Sequence, residues 1–183
     1  MPELTPQDRL QPALLDRLTD DHPDRTQEPR ERRVMSKAQL KQAVLRDLAW
    51  LFNATRVERT EAPSDPRLPL GDDLSDSPEV RRSVVNYGLP PLSGRAAIAL
   101  DILELERAIR QAIIDFEPRI LAATLRVKAI VAASEIDHHN VIGVQIQGQL
   151  WSQPVPLDLL VRTEIDLETG KVEIADLART PAV

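Results

Sequence analysis

The hydrophobic period of the chain changes at Pro118, and this change restricts the folds available to it. Before Pro118, apolar side chains recur at helical spacing over 95–116: Ile98, Ile102, Leu105, Ile109, Ile113 and Phe116. Beyond it, they alternate with polar ones, as in half-buried strands. Because proline lacks an N–H and disfavours helical geometry at Glu117, the helix must end there. Helices followed by an antiparallel sheet predict an α+β fold, a small sheet packed against this long helix.

Further elements follow from the same patterns. The alternation predicts four strands, at 125–131, 142–150, 157–167 and 172–175, with the last two joined by a turn at Glu168–Lys171. A helix over 37–53 is predicted by its apolar spacing and by Ser36 and Gln39, which have the spacing of a capping box. A shorter helix over 78–87 is predicted to begin at Pro78 and to end at Gly88.

The N-terminal 35 residues have a different composition. Residues 7–19 place Leu10, Leu14 and Leu18 on one face of a short amphipathic helix, whereas 20–35 carry almost no apolar side chains until Val34. Eleven of the 15 prolines lie within residues 1–91, which indicates many turns in the first half. We therefore predict a docking helix with a flexible linker over 1–35 and one α+β domain over 36–183.

Charge and cysteine content exclude several classes of function. The chain has no cysteine, so it has neither disulfides nor a thiol nucleophile, and its net charge of −6 disfavours nucleic acid as a partner. No apolar run approaches the ~20 residues of a membrane helix. The start of the chain lacks the features of a signal peptide. We expect a cytoplasmic protein without a cofactor and without direct membrane insertion.

Catalytic patterns are weak. Glu104, Glu106, Asp115 and Glu117 could supply paired carboxylates, but Glu104 and Glu106 do not share a helix face, and solvated helix charge accounts for them. His138 and His139 follow Asp137 in a polar connection, which favours a turn over a metal site. The apolar helix that carries Trp50 and Phe52 predicts that both belong to the core, while Trp151 fits either the core or an interface.

The sharpest local feature is the triplet Glu117-Pro118-Arg119. In an extended backbone, residues two apart face the same side, so the carboxylate and the guanidinium are presented together on a segment stiffened by proline. Two interpretations fit: a local ion pair that ties the helix end to the first strand, or a surface that recognises a partner through the planar guanidinium.

The triplet is one of five segments that together carry a resemblance to a known family. The resemblance covers nearly the whole chain, and the order and spacing of these segments are specific in combination: Arg9–Pro12 (RLQP), Leu14–Asp21 (LLDRLTDD), Leu45–Asn53 (LRDLAWLFN), Ser83–Pro90 (SVVNYGLP) and Phe116–Ile120 (FEPRI). The chain resembles the TssE family, the baseplate wedge subunits of bacterial type VI secretion systems. That family is itself similar to the lysozyme-like wedge protein of contractile phage tails.

The resemblance implies a structural role without enzymatic activity, in the cytoplasm at a membrane-docked baseplate. It implies association with the wedge subunits TssF, TssG and TssK, through Glu117, Pro118 and Arg119, and contact between a sheet edge and the TssB/TssC sheath. An exposed antiparallel edge is also a physical template for strand addition. The leucine face of Leu10, Leu14 and Leu18 is the second expected docking surface.

Two alternative functions also fit the sequence. Regulators of a bacterial protease pathway resemble the same domain, so the chain could be a free-standing adaptor or anti-adaptor, although the N-terminal segment argues against this. The label lysozyme-like suggests a peptidoglycan hydrolase, whose test would be a Glu104/Glu117 double alanine variant.

Overall fold

The computed structural model describes residues 12–19, 23–24, 35–56, 77–92, 101–130, 141–152 and 155–177. Within them the helices are α1 (Leu14–Leu18), α2 (Lys37–Asn53), α3 (Pro78–Arg81) and α4 (Ile102–Phe116), with a 3₁₀ turn at Val84–Asn86. The strands are β1 (Arg126–Ile130), β2 (Val141–Leu150), β3 (Leu157–Asp166) and β4 (Val172–Asp176). Helices precede the sheet, so the predicted α+β class is confirmed.

Helix α2 has the predicted bounds. The Gln39 N–H donates to the Ser36 hydroxyl at 3.2 Å, and the Ser36 N–H donates to the Gln39 side-chain oxygen at 2.9 Å. This capping box satisfies two backbone donors at the helix start. One face is buried, through Leu40, Ala43, Val44, Leu48, Leu51 and Phe52. Apolar periodicity and local capping therefore agree along the whole helix.

The predicted helix over 78–87 is wrong as a single element. Helix α3 ends at Arg81, and a separate 3₁₀ turn begins after Ser83. The Ser83 hydroxyl donates to the Val80 carbonyl at 2.8 Å and accepts the Val85 N–H at 3.3 Å. A serine side chain that bonds the backbone on both sides offers an alternative to helical hydrogen bonding, so the helix breaks at this residue.

Gly88 has a role other than the predicted helix cap. Its φ is +129°, and an added Cβ would lie 2.4 Å from the Ala54 carbonyl oxygen. The Leu89 N–H donates to that same oxygen at 2.9 Å, and the Arg56 N–H donates to the Leu89 carbonyl at 2.9 Å. Only glycine permits this approach, which fastens the segment after the 3₁₀ turn to the end of α2.

Helix α4 ends at Phe116 as predicted but begins at Ile102 instead of residue 95. Asp101 is its N-cap, in an extended conformation, with a carboxylate that accepts the N–H groups of Leu103 and Glu104 at 2.9 and 3.1 Å. This capping carboxylate marks where the helix begins, which the apolar spacing alone does not show. The rest of the predicted start, at 95–100, lies outside the described residues.

The sheet is an antiparallel meander in the order β1-β2-β3-β4. Its buried face consists mainly of Ile142, Val144, Ile146, Leu150, Leu159, Val161, Ile165 and Val172. Helix α4 lies along β1 and α2 lies along β4, so two helices share this face, whereas a single long covering helix was predicted. The opposite face is largely polar, as period-two alternation requires.

Candidate functional site

The triplet forms a tight turn directly after α4. The Glu117 N–H caps the helix by donating to the Ile113 carbonyl at 2.8 Å, and the Ile120 N–H donates to the Glu117 carbonyl at 3.1 Å. The triplet is therefore part of a β-turn over Glu117–Ile120. It does not have the extended backbone that was predicted from the sequence. Pro118 occupies the position of such a turn that favours a fixed φ. The two charged side chains nevertheless meet.

Glu117 and Arg119 form a forked ion pair. Arg119 Nε donates to Glu117 Oε1 at 2.6 Å, and Arg119 Nη2 donates to Glu117 Oε2 at 2.5 Å. The Arg119 N–H adds a third bond to Oε1 at 3.2 Å. Glu117 is only 3% exposed, so its charge depends on this partner. The predicted local ion pair is thus present, within the turn itself, and it holds the guanidinium in one orientation.

A third member of the site comes from α2. Arg119 Nη2 also donates to Asp47 Oδ2 at 2.5 Å, across 72 residues of sequence. Burial would lower the pKa of Arg119, but the hydrogen bond and charge of Glu117, followed by those of Asp47, outweigh it and raise that pKa well above its usual value. Arg119 therefore stays charged between two carboxylates.

The alternating charges of Glu117, Arg119 and Asp47 continue to the N-terminal helix, and together these side chains form a charged chain. Arg46 pairs with Asp47 at 2.8 Å and with Asp16 of α1 at 2.7 Å. Burial would lower the pKa of Arg46, but its bonds to Asp16 and Asp47 raise it. Asp16, Arg46 and Asp47 were not predicted as site residues, although all three lie in segments that carry the family resemblance. Their alternating signs were visible in the sequence, but their spatial order was not.

An aromatic pair lies beside the triplet. Phe116, the last residue of α4, meets Tyr87 edge-to-face with ring centroids 5.1 Å apart. The Tyr87 hydroxyl donates to the Asp47 backbone carbonyl at 3.3 Å. Burial, together with the charges of Asp47 and Glu117, raises the pKa of Tyr87. This packing joins the segment around Gly88 to both helices and supports the triplet from one side.

Two tryptophans border the same region. Arg46 Cζ lies over the Trp50 ring, 5.3 Å from its centroid. The backbone N–H of Trp151 donates to the Arg119 carbonyl at 2.8 Å. Trp50 is 53% exposed, so its predicted place in the core is wrong, whereas Phe52 is buried as predicted. Trp151 is 41% exposed. Tryptophan and arginine side chains are enriched among the residues that contribute most to binding at protein interfaces.

The leucine face of α1 is exposed to solvent within the described residues. Leu14 and Leu18 are each 73% exposed, and Asp16 on the same short helix bonds Arg46. Leu10 lies outside the described residues. So does part of the predicted linker, and the boundary at residue 35 stays a prediction. The structure thus brings α1 to the triplet network through its polar face and leaves the leucines at the surface.

The carboxylates considered for catalysis lie in different environments. Glu117 pairs with Arg119, Asp115 bonds Gln111 at 2.9 Å, and Glu106 accepts the Ala129 N–H at 2.8 Å. Glu104 is exposed near the start of α4. Within the described part of the chain, no three side chains of the metal-binding types cluster. His138 and His139 lie outside it.

Among the helices that the structure describes, none combines the length and the apolar character required to cross a bilayer. The surface around the triplet consists of paired charges, indole rings and leucines. Its chemistry suits recognition of a protein, with the fixed guanidinium and the apolar groups as contact points.

Comparison with known proteins places the chain in a family. The family model for "Baseplate wedge protein gp25" matches residues 38–155, well over half of the chain. No curated protein and no solved structure matches the chain. The matched region runs from α2 through β2 and includes Asp47 and the whole triplet. The resemblance found in the sequence is thereby confirmed: the chain belongs to the family of the baseplate wedge protein gp25.

Proposed function

We propose that this protein is the TssE-like wedge subunit of a type VI secretion baseplate, which associates with TssF, TssG and TssK and initiates polymerisation of the TssB/TssC sheath. Family membership supports the coarser statement, a structural role among protein partners in a baseplate. The finer proposal has its support in the charged chain from Glu117 through Arg119, Asp47 and Arg46 to Asp16, which fixes one surface on three elements.

The charged chain supports a docking role because its geometry is set before a partner arrives. Arg119 is held by two carboxylates, yet 24% of its side chain stays exposed. A side chain that is already ordered loses little conformational entropy on binding. The surface thus combines a fixed guanidinium with the exposed leucines of α1, an arrangement suited to a subunit contact. We propose no catalytic step for it.

The second proposed contact is with the sheath. The antiparallel sheet ends in two edge strands, β1 and β4, and an edge strand can add a strand from another protein. A sheath that begins on such an edge would continue the hydrogen bonding of the sheet. We propose that the protein acts in the cytoplasm, at a baseplate docked on the membrane.

The triplet contact is tested by replacing Glu117 and Arg119 together with alanine. The expected result is loss of fluorescent sheath structures in cells and loss of co-purification with TssF and TssG. Circular dichroism of the purified variant must show a retained fold. Arg162→Ala, on the exposed outer face of β3, is the matched control. Normal sheaths in a folded Glu117/Arg119 variant would refute the interface.

The leucine contact is tested separately with Leu14→Ser and Leu18→Ser. We expect weaker association with the wedge subunits in size-exclusion chromatography, because two exposed apolar side chains no longer contact a partner. Leu103→Ser is the control, since Leu103 is 60% exposed but lies on α4. Unchanged association removes α1 from the docking surface. Recovery of a proteolysis adaptor in place of wedge subunits would favour the adaptor alternative.

A further inference from the structure

Two apolar side chains project from the 3₁₀ turn Val84–Asn86, the valine turn. Val84 is 81% exposed and Val85 is 76% exposed, the two highest values among the large apolar side chains of the described residues. Val80, on the preceding helix α3, is also exposed. Single apolar side chains are ordinary at a protein surface, whereas contiguous ones indicate an interaction site. Both valines contribute nothing to the core, so folding of this chain does not account for them.

Buried groups on both sides hold the valine turn in place. Before it, the Ser83 hydroxyl bonds the backbone in both directions. At its end, Asn86 is buried, and its side-chain amide donates to the Arg81 carbonyl at 3.1 Å. Tyr87 then packs on α4, and Gly88 fastens the segment to the end of α2. Because the backbone is fixed and valine is stiff at χ1, the pair loses little conformational entropy on binding.

The accessible charge beside the valines is mainly positive. Arg81 is exposed and forms no ion pair within the described residues. The Arg82 side chain is 67% exposed, whereas that of its partner Asp115, 3.7 Å away, is only 16% exposed. Glu79 is an exposed acid at the start of α3. In a chain with a net charge of −6, two adjacent exposed arginines next to an apolar pair favour a partner with acidic side chains.

The valine turn is also a neighbour of the triplet. Tyr87, which follows the turn directly, contacts Phe116, which precedes Glu117. In the triplet itself the Glu117 side chain is covered, whereas part of the Arg119 guanidinium is accessible. One interface of ordinary size, about 20–30 residues on each side, can include both features. The valines would then supply the apolar part of a surface whose polar part is cationic.

We infer that Val84 and Val85 are the apolar contact of a docking surface, and that they pack on an apolar patch of a partner protein bordered by carboxylates that pair with Arg81 and Arg82. The inference rests on the proposed function for the identity of the partner as a wedge subunit. It adds a third contact to the charged chain and the leucine face.

The contact is tested by measuring the affinity of the full chain for a purified TssF–TssG complex with biolayer interferometry. Val84→Asp combined with Val85→Asp should weaken binding about ten-fold or more, because it places two carboxylates against an apolar surface bordered by acids. Leu103→Asp with Val155→Asp is the matched control, with the same change in net charge at two side chains that are each 60% exposed. Circular dichroism should show that both variants fold. Equal affinities of the two folded variants would overturn the inference.

The acidic chemistry of the partner is tested by charge reversal. Arg81→Glu with Arg82→Glu should weaken binding to the same complex and reduce its dependence on salt. Arg162→Glu with Lys171→Glu makes the same change in net charge at two other exposed cations and should leave the affinity unchanged. An unchanged affinity in the Arg81/Arg82 variant would refute the acidic partner. Dimerisation of the wild type that the double aspartate variant abolishes would assign the turn to self-association instead.

A probe without baseplate subunits separates this inference from the proposed function. The isotope-labelled full chain is titrated, with amide NMR detection, with a helical peptide of about 15 residues whose leucine face is flanked by glutamates, and with its lysine counterpart. Only the glutamate peptide should shift the amide signals of residues 81–85, and the double aspartate variant should lose this response. Shifts confined to α1, or no difference between the peptides, would refute docking at the valines even where the wedge complex forms. A selective response without any TssF–TssG binding would support the surface and refute the wedge partner.

Discussion

Two turns in this protein are held by the same device, a carboxylate that accepts hydrogen bonds from residues that follow it. Glu117 accepts from the N–H and the guanidinium of Arg119 in the turn after α4. Asp166 accepts from the Glu168 N–H at 2.8 Å, and from the N–H and hydroxyl of Thr169 at 3.3 and 2.8 Å, in the turn between β3 and β4.

The two turns differ in what surrounds the carboxylate. Glu117 is buried and its partner is a cation shared with Asp47, whereas Asp166 lies at the surface and its partners are neutral. A charge in a buried position depends on its counter-ion far more than an exposed one does. A local sequence pattern thus sets the hydrogen bonds of a turn, while burial sets how much they contribute to stability.

The largest effect is expected from Arg119→Met, which leaves the buried Glu117 carboxylate without its cation. We expect a loss of about 2–3 kcal/mol in the free energy of unfolding, less than for a fully buried pair because Arg119 is partly exposed. Urea denaturation measures it. Arg162→Met, exposed on β3, is the control and should change the stability little. Equal losses of unfolding free energy in the two variants would show that burial does not increase the contribution of this charge pair.

The link to α2 gives the next effect. A double-mutant cycle with Asp47→Asn and Arg119→Met should give a coupling of about 1.5 kcal/mol, because the two side chains bond directly and are mostly shielded from water. The corresponding cycle on Lys171 and Glu173, exposed beside the second turn, should give a coupling indistinguishable from zero. A larger value for the exposed pair would contradict the comparison.

In the second turn the backbone should matter more than the carboxylate. Gly170 has a φ of 74°, and Gly170→Ala should cost about 1 kcal/mol because a Cβ is unfavourable there. Gly170→Asn should cost less, since asparagine tolerates the left-handed region. Thermal unfolding of both variants checks this order. An alanine variant as stable as the wild type would show that the turn can change its conformation at no cost.

The smallest effect is a pH dependence. The Thr169 hydroxyl and the N–H groups of Glu168 and Thr169 hold the pKa of Asp166 below its ordinary value. Such a group stabilises the fold above its unfolded-state pKa of about 4, and this contribution is lost as pH falls through the lower folded value. Urea midpoints of the wild type should therefore fall slightly more than those of Asp166→Asn between about pH 5 and about pH 2. Parallel curves would contradict the shift.

Much of the fold could be predicted because its signals are local. The capping box of α2, the end of α4 before Pro118, and the alternation in β2 and β3 all depend on neighbours in sequence. The errors arose where polar side chains bond the backbone. Ser83 divides the predicted helix at 78–87, and the Asp101 cap starts α4 later than apolar spacing suggests.

The candidate site was predictable in part. The pairing of Glu117 with Arg119 is two residues apart and could be anticipated, although through a turn instead of an extended backbone. Asp47 could not, because it is 72 residues away from Arg119 and reaches it only when α2 and α4 pack on the same sheet. Trp50 was misassigned because an apolar helix does not reveal which ring stacks on an arginine at the surface.

By itself, the sequence determined the order of helices and strands, the place where α4 stops and the charged triplet that follows it, since periodicity, capping and proline act within a few residues. Only the tertiary structure decided which charges meet and which helix side chains bond each edge of the sheet. Asp47 joins Arg119, Asn53 closes β4, and Glu106 covers one donor of β1, through contacts between elements far apart in the chain. Such contacts depend on how the helices are placed on the sheet, which no short segment encodes.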